Sequence, residues 1–185
     1  MYNTSTYSPT LLKWFDIHRR DLPWRKYKDV YHVYLSEVML QQTKVVTVIP
    51  YYEKWLKQYP TIKSVALSNQ DDLLKLWEGL GYYSRCINFF KACSILYHQY
   101  NSQLPPNIAD FLKLPGVGNY ISSAVYSIVE KRPIPAVDGN ITRVISRILA
   151  IRNLTPYNKK RIFNMLNYCI DNERPGDMNQ ALMDL

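Results

Sequence analysis

Two carboxylates in this chain occupy settings where acid–base chemistry is possible. Glu37 interrupts the apolar helical run Leu35-Ser36-Glu37-Val38-Met39-Leu40. A carboxylate there either lies exposed at the edge of a surface helix or lines a pocket. In a pocket, desolvation disfavours the charged form, raises the pKa and suits a general acid. Asp138 stands ahead of a second helical pattern, Ile141, Val144, Ile145, Ile148 and Leu149. That is an N-cap position, where one carboxylate oxygen can hold the backbone while the other faces a ligand. About twenty residues before Asp138 comes the turn Leu114-Pro115-Gly116-Val117-Gly118. Its glycines admit positive φ, and it feeds a helix with Ile121, Ala124, Val125, Ile128 and Val129 on one face. Turn amides and the positive end of a helix dipole point the same way, which makes an anion site able to grip a phosphate without reading sequence. A plain corner between two helices has the same local signature. Gln41-Gln42 and Tyr82-Tyr83 are flat or aromatic pairs that could wedge into a base stack, or simply pack.

These groups must be positioned by helices, because no segment alternates with period two over strand length. The expected fold is all-α. The first seven residues are polar and read as loose. Ser8-Pro9 reads as a cap and first-turn proline for a helix to about residue 19. Leu22-Pro23-Trp24-Arg25 reads as an extended linker inside a basic cluster, Arg19, Arg20, Arg25, Lys26 and Lys28, which is a solvated face or a binding face. Asp29 caps a helix over 30–42, and Thr43 starts another to 57, strained or broken by Pro50. Short helices follow Thr61 and Asn69. A long one, with Ile87, Phe90, Cys93, Tyr97 and Tyr100 as its apolar face, follows the turn at 77–83. Asn107 caps a short helix into the central turn, a further helix covers about 158–171, and a last one after Pro175 is still running at Leu185.

The chain of 185 residues can hold one substantial core or two small lobes. Its net charge of +8 points to a polyanionic partner, most simply nucleic acid. The three cysteines, Cys86, Cys93 and Cys169, lack metal-ligand spacing and read as reduced thiols of a cytoplasmic protein. No apolar run approaches membrane-spanning length.

Five stretches in one order carry a resemblance. They are Leu22-Pro23-Trp24-Arg25, Ser36-Glu37-Val38-Met39-Leu40-Gln41-Gln42-Thr43, Gly79-Leu80-Gly81-Tyr82-Tyr83, Leu114-Pro115-Gly116-Val117-Gly118 and Val137-Asp138-Gly139-Asn140. Together they closely resemble the adenine DNA glycosylases of the MutY family, within the helix-hairpin-helix superfamily of base-excision repair enzymes. The glycine turn is shared across that superfamily, whereas the Glu37 and Tyr82-Tyr83 stretches select the adenine branch.

The resemblance implies a two-lobed helix-hairpin-helix fold: a six-helix barrel over about 22–131, and a second lobe from about 1–21 plus 132–185. It implies a monomer that acts on double-stranded DNA in the cytoplasm, with no membrane association. The reaction would be hydrolysis of the glycosidic bond of adenine mispaired with 8-oxoguanine or guanine, after the base leaves the stack. Glu37 would protonate the purine and Asp138 would stabilise the cationic sugar, electrostatically or through a covalent link, with Tyr120 and Asn140 assisting. Trp24, Arg25, Leu40 and Gln180 would line the adenine site. Gln41, Gln42 and Tyr82 would fill the helix, and Leu114, Gly116, Val117 and Gly118 would hold the backbone. The related endonuclease III branch carries a nucleophilic lysine where this chain has Tyr120, and a phenol forms no Schiff base, so the expected enzyme is monofunctional. The family's 4Fe–4S iron–sulfur cluster needs four cysteines in a loop beyond the last helix, and those ligands are absent, as is the C-terminal 8-oxoguanine-recognition domain. Truncation of a longer protein, or divergence, is the expectation. The alternatives are a DNA-binding fragment without turnover and a glycosylase of the same fold with another base specificity.

Overall fold

The computed structural model describes residues 7–185. The expectation of a loose N-terminus falls on residues 1–6, outside the described residues, and the first helix has begun by Tyr7. Eleven α-helices and one 3-10 turn make up the described structure, with no strand among the described residues. No helix among them is long and apolar enough to cross a membrane. The chain divides into two compact units, Leu22–Ser122 and a second made of Met1–Asp21 with Ser123–Leu185.

The unit Leu22–Ser122 holds α2 (Val30–Leu40), α3 (Val45–Gln58), α4 (Ile62–Ala66), α5 (Gln70–Trp77), α6 (Ser84–Tyr100) and α7 (Ile108–Phe111). Four of these start where expected: Asp29 and Asn107 cap as predicted, and Thr61 and Asn69, after which short helices are expected, likewise accept a backbone N–H of the first turn. α6 is the spine, packed against α2, α4 and α5. Its buried face is Cys86, Phe89, Ala92, Cys93 and Leu96, joined by Arg85. That face is rotated from the expected one, and Ile87 and Phe90 are only partly buried. Aromatic rings fill the core: Trp55 meets Trp77 edge-on at 5.6 Å, and its indole N–H donates to the Tyr31 hydroxyl at 2.9 Å.

Three local expectations are corrected here. Leu22–Arg25 is not an extended linker, since Pro23–Lys26 forms a 3-10 turn that buries Trp24. α3 starts after Lys44 rather than at Thr43, whose hydroxyl is committed elsewhere (below), and it runs unbroken through Pro50. α2 stops at Leu40, two residues short of the expected end, because Gln41 leaves the helical region at ψ 114° and Gln42 then turns to φ +54°.

The other unit holds α1 (Tyr7–His18), α9 (Gly139–Ile148), α10 (Pro156–Cys169) and α11 (Pro175–Asp184), while α8 (Asn119–Val129) crosses the division. Ile141, Ile145, Ile162, Leu166 and Leu182 form its core, bringing α9, α10 and α11 together. Ile148, expected on that face, is half exposed. α10 begins two residues earlier than expected, because Thr155-Pro156 supplies both the cap and the first-turn proline. Ser8 is not a cap: it lies inside α1 and its hydroxyl donates to Asp171 Oδ2 at 2.8 Å.

Candidate active site

Glu37 resolves to the buried alternative, 9% exposed. Periodicity could not decide this, because α2 is buried around most of its circumference, from Val30 to Met39 with only His32 partly open. The Tyr120 hydroxyl, in the first turn of α8, donates to Glu37 Oε2 at 2.7 Å. The two expected catalytic residues of this unit therefore meet across 83 positions of sequence. A phenol beside a carboxyl orients one of its oxygens and leaves no amine nearby on that helix turn to serve as a nucleophile.

The glycine turn that carries Tyr120 is anchored by buried Leu114 and Val117. Gly116 has φ +76°, and a Cβ there would lie 2.9 Å from Cβ of Asn88 on α6, so both conformation and space demand glycine. A Cβ at Gly118 would meet nothing within 4 Å, which leaves that side of the turn open. The Val117 N–H bonds inside the turn to the Leu114 carbonyl at 3.1 Å, so it is not one of the outward amides.

The wedge candidates are exposed. Gln42 has φ +54°, and Tyr82, 60% exposed, has φ +47°. Gln41 and Leu40 are partly exposed at the end of α2. Positive φ at two non-glycine residues persists only where the surroundings hold it. The residue holding both is Arg85, which sequence reasoning missed. Its guanidinium, on a residue 8% exposed, donates through Nη1 to the carbonyls of Val38 (3.0 Å), Met39 (2.8 Å) and Gln41 (2.6 Å). Through Nη2 it donates to Thr43 Oγ1 (3.1 Å) and to the carbonyls of Leu80 (3.2 Å) and Gly81 (3.1 Å). It also lies 5.5 Å from the Tyr82 ring centre. Burial lowers the Arg85 pKa, but a guanidinium starts so high that it stays charged. The signal that could have found it is its phase, since Arg85 continues the Cys86, Phe89, Cys93, Leu96 stripe. Trp24 packs edge-on against Tyr52 at 5.5 Å, and Arg25 is partly exposed in the same 3-10 turn.

Asp138, Asn140 and Gln180 belong to the second unit. Asp138 caps α9, Oδ1 accepting the Ile141 N–H at 2.7 Å. Its Oδ2 accepts from the Asn140 side-chain amide at 2.9 Å, so Asn140 orients the oxygen that capping leaves over. Gln180 is partly exposed on α11. Its neighbour Asn179, also missed, is 1% exposed and donates to Ser127 Oγ and to the Ile134 carbonyl, both at 3.0 Å, while its Oδ1 accepts the Ala136 N–H at 3.1 Å. It fixes the strap that leads from α8 to Asp138.

The family model for HhH-GPD superfamily base excision DNA repair proteins matches residues 35–169. The chain belongs to this superfamily. It is 39% identical to the adenine DNA glycosylase of Schizosaccharomyces pombe over 95% of this chain and 43% of that one. It is 37% identical to that of Buchnera aphidicola subsp. Schizaphis graminum, over 97% and 52% respectively. The human adenine DNA glycosylase is 38% identical over 95% of this chain and 34% of its own length. This HhH-GPD chain thus spans about half, or less, of the length of these relatives. Among solved structures, a thermostable thymine-DNA glycosylase superposes with a TM-score of 0.87 at 27% identity, covering 98% of this chain and 84% of that one. A non-covalent endonuclease III–DNA complex shares the fold, with a TM-score of 0.78 at 21% identity over 95% and 80% of the two chains.

The residues present do not fit an iron–sulfur cluster. Cys86 and Cys93 are both buried inside α6, where burial pushes the Cys86 thiol up to about 12 and that of Cys93 well above its usual range. Cluster ligands must be thiolates. Cys169 belongs to the other unit, at the end of α10, its thiol also raised by burial, and no group of three or more His, Cys, Asp or Glu among the described residues could hold a metal.

Proposed function

We propose that this chain is the catalytic region of a DNA glycosylase that hydrolyses the glycosidic bond of adenine mispaired with 8-oxoguanine or guanine in chromosomal duplex DNA. The observation that carries the reading is the buried Glu37 carboxyl, bonded by Tyr120 in a chain 37% identical to an adenine DNA glycosylase over nearly its full extent. Glu37 in its protonated form gives its proton to the flipped purine. The bond between the sugar and the base then breaks with its electron pair going to adenine. Asp138, ionised, stabilises the cationic sugar until water adds and returns a proton to Glu37. One acid must begin protonated and the other charged, the division of labour common to sugar-bond cleavage. Asn140 holds the Asp138 oxygen not engaged by α9, which supports that role.

Trp24, Arg25, Leu40 and Gln180 line the adenine site in this reading. Gln41, Gln42 and Tyr82 occupy the duplex near the opposing base, supported by the exposure and positive φ of the last two. The turn Leu114–Gly118 holds one phosphate. Because position 120 is tyrosine, the enzyme cleaves the base and not the strand. Single-turnover incubation with a duplex carrying adenine opposite 8-oxoguanine tests the reading. Free adenine is released, and the strand breaks only after alkali. Salt-sensitive binding without adenine release marks a DNA-binding module instead. Strand breaks that keep pace with adenine release contradict the monofunctional mechanism.

A further inference from the structure

Gln42 and Tyr82, the two exposed side chains that the reading above sends into the duplex, stand on separate segments of the unit Leu22–Ser122. Gln42 lies on the bend that ends α2, and Tyr82 on the turn ahead of α6. Each segment is stiff by itself. In the turn, the Trp77 indole N–H donates to the Gly81 carbonyl at 3.0 Å and the Tyr51 hydroxyl to the Glu78 carbonyl at 2.9 Å, while a Cβ at Gly79 would collide with that hydroxyl. In the bend, the Thr43 N–H donates to the Leu40 carbonyl at 3.2 Å, and the Thr43 hydroxyl to the Gln41 carbonyl at 3.3 Å. Arg85 joins the two: Nη1 on the Gln41 carbonyl, Nη2 on Thr43 Oγ1 and on the carbonyls of Leu80 and Gly81. Among the described residues no other hydrogen bond links bend to turn.

A guanidinium is a planar fork whose donors keep fixed directions, so moving the acceptors on one side either carries the other side along or breaks bonds. This fork is also tied to the core, since it lies 5.4 Å from the ring centre of buried Trp77. A displacement of Gln42 against Tyr82 therefore strands carbonyls on one segment or the other. We infer that Arg85 is a positioning residue that makes the bend and the turn one body, so that Gln42 and Tyr82 enter the duplex as a single wedge and not as two independent ones. The inference rests on the glycosylase reading for the duplex and for the place of the two side chains in it. The mechanical link comes from the fork itself.

The test is a double-mutant cycle of Gln42→Ala and Tyr82→Ala, read as affinity for a duplex carrying adenine opposite 8-oxoguanine. It is run in the wild-type, Arg85→Lys and Thr43→Val backgrounds, in the cold, with circular dichroism confirming that each protein is folded. In wild type the product of the two single losses exceeds the loss of the double variant by about fivefold or more. Lysine keeps the charge but cannot span both segments from one planar fork, so the coupling there falls to within about twofold of none. Thr43→Val removes one acceptor of Nη2 and the hydroxyl on the Gln41 carbonyl, and its coupling falls between those two values. A role confined to stability lowers all four corners of a cycle alike and leaves the coupling where wild type has it. Independent losses in wild type, or wild-type coupling in either background, overturn the inference. Coupled losses in a protein that frees no adenine sink the glycosylase reading alone, and adenine release with independent losses sinks this inference alone.

Discussion

Replacing Arg85 by methionine keeps most of the buried stem and deletes the guanidinium. Six hydrogen bonds between 2.6 and 3.2 Å go with it. Two of the acceptors, the Val38 and Met39 carbonyls, lie in the last turn of α2, where a helix has no N–H of its own to offer them. The Leu80 and Gly81 carbonyls lie in the turn that presents Tyr82. A hydrogen bond to a charged group contributes about 1.5–3 kcal/mol, but the six share one charge and water can reach the partly exposed Gln41 and Gly81, so they do not add. Relief of the desolvation cost of the buried guanidinium offsets part of the loss. The net destabilisation expected is about 3–5 kcal/mol, the range for stranding the partners of a buried charge. For a chain of this size that is a fall of roughly 6–20 °C in melting temperature. Urea unfolding with an unchanged m-value measures it. Arg85→Lys keeps the charge but cannot reach both elements from one planar fork, so it recovers less than half of the loss. A methionine variant within about 1 kcal/mol of wild type, or full rescue by lysine, would refute the idea that the fork clamps the two elements.

Three further outcomes follow from packing and titration. Gly176→Ala puts a Cβ 2.7 Å from Ile128 Cα and 2.8 Å from the Ser127 carbonyl, both backbone, so α11 must shift; a loss of about 1–3 kcal/mol by urea titration is expected, and a neutral result contradicts the close approach. Asn179→Leu strands the Ala136 N–H, the Ile134 carbonyl and the Ser127 hydroxyl, and lowers stability by about 2–3 kcal/mol in the same assay; stabilisation would show that these groups find other partners. The third concerns acid. The Arg174 guanidinium bonded to Asp16 lowers that carboxyl. At Asp171 burial pushes up, but the backbone N–H groups of Arg174 and Glu173 and the Ser8 hydroxyl outweigh it and leave the net shift downward. Folded-state values below the unfolded one, about 3.9, mean stability fully present above that pH and lost as pH falls through the folded values. The gap between wild type and Asp171→Asn therefore narrows below about pH 4, and a constant gap from neutrality to about pH 2.5 contradicts the assignment.

Legibility in the sequence follows the range of the interaction. Asp29, Thr61, Asn69, Asn107 and Asp138 were readable as helix starts because a cap and the N–H it accepts lie within three residues. The 3-10 turn at Pro23–Lys26 was not, since burial of Trp24 against Tyr52 depends on a helix more than twenty positions away. The phase of α6 was misjudged because apolar residues occur on several of its sides, and a buried arginine reads as a surface residue until its carbonyl partners are known. Glu37 shows the same limit. α2 is buried almost all round, so periodicity carries no information about which side faces a site, and the Tyr120 contact is remote in sequence. The family resemblance compares whole motifs and not single helices, so it names Glu37 as a candidate where periodicity is silent.

The most direct test of two acids acting on one nucleoside is single-turnover adenine release by wild type, Glu37→Gln and Asp138→Asn, with duplex affinity measured in parallel. The account predicts that wild type frees adenine, and that each variant loses at least about a thousandfold in rate, on the order of 4 kcal/mol of transition-state stabilisation, while affinity stays within about threefold. Adenine release at the wild-type rate by either variant contradicts it.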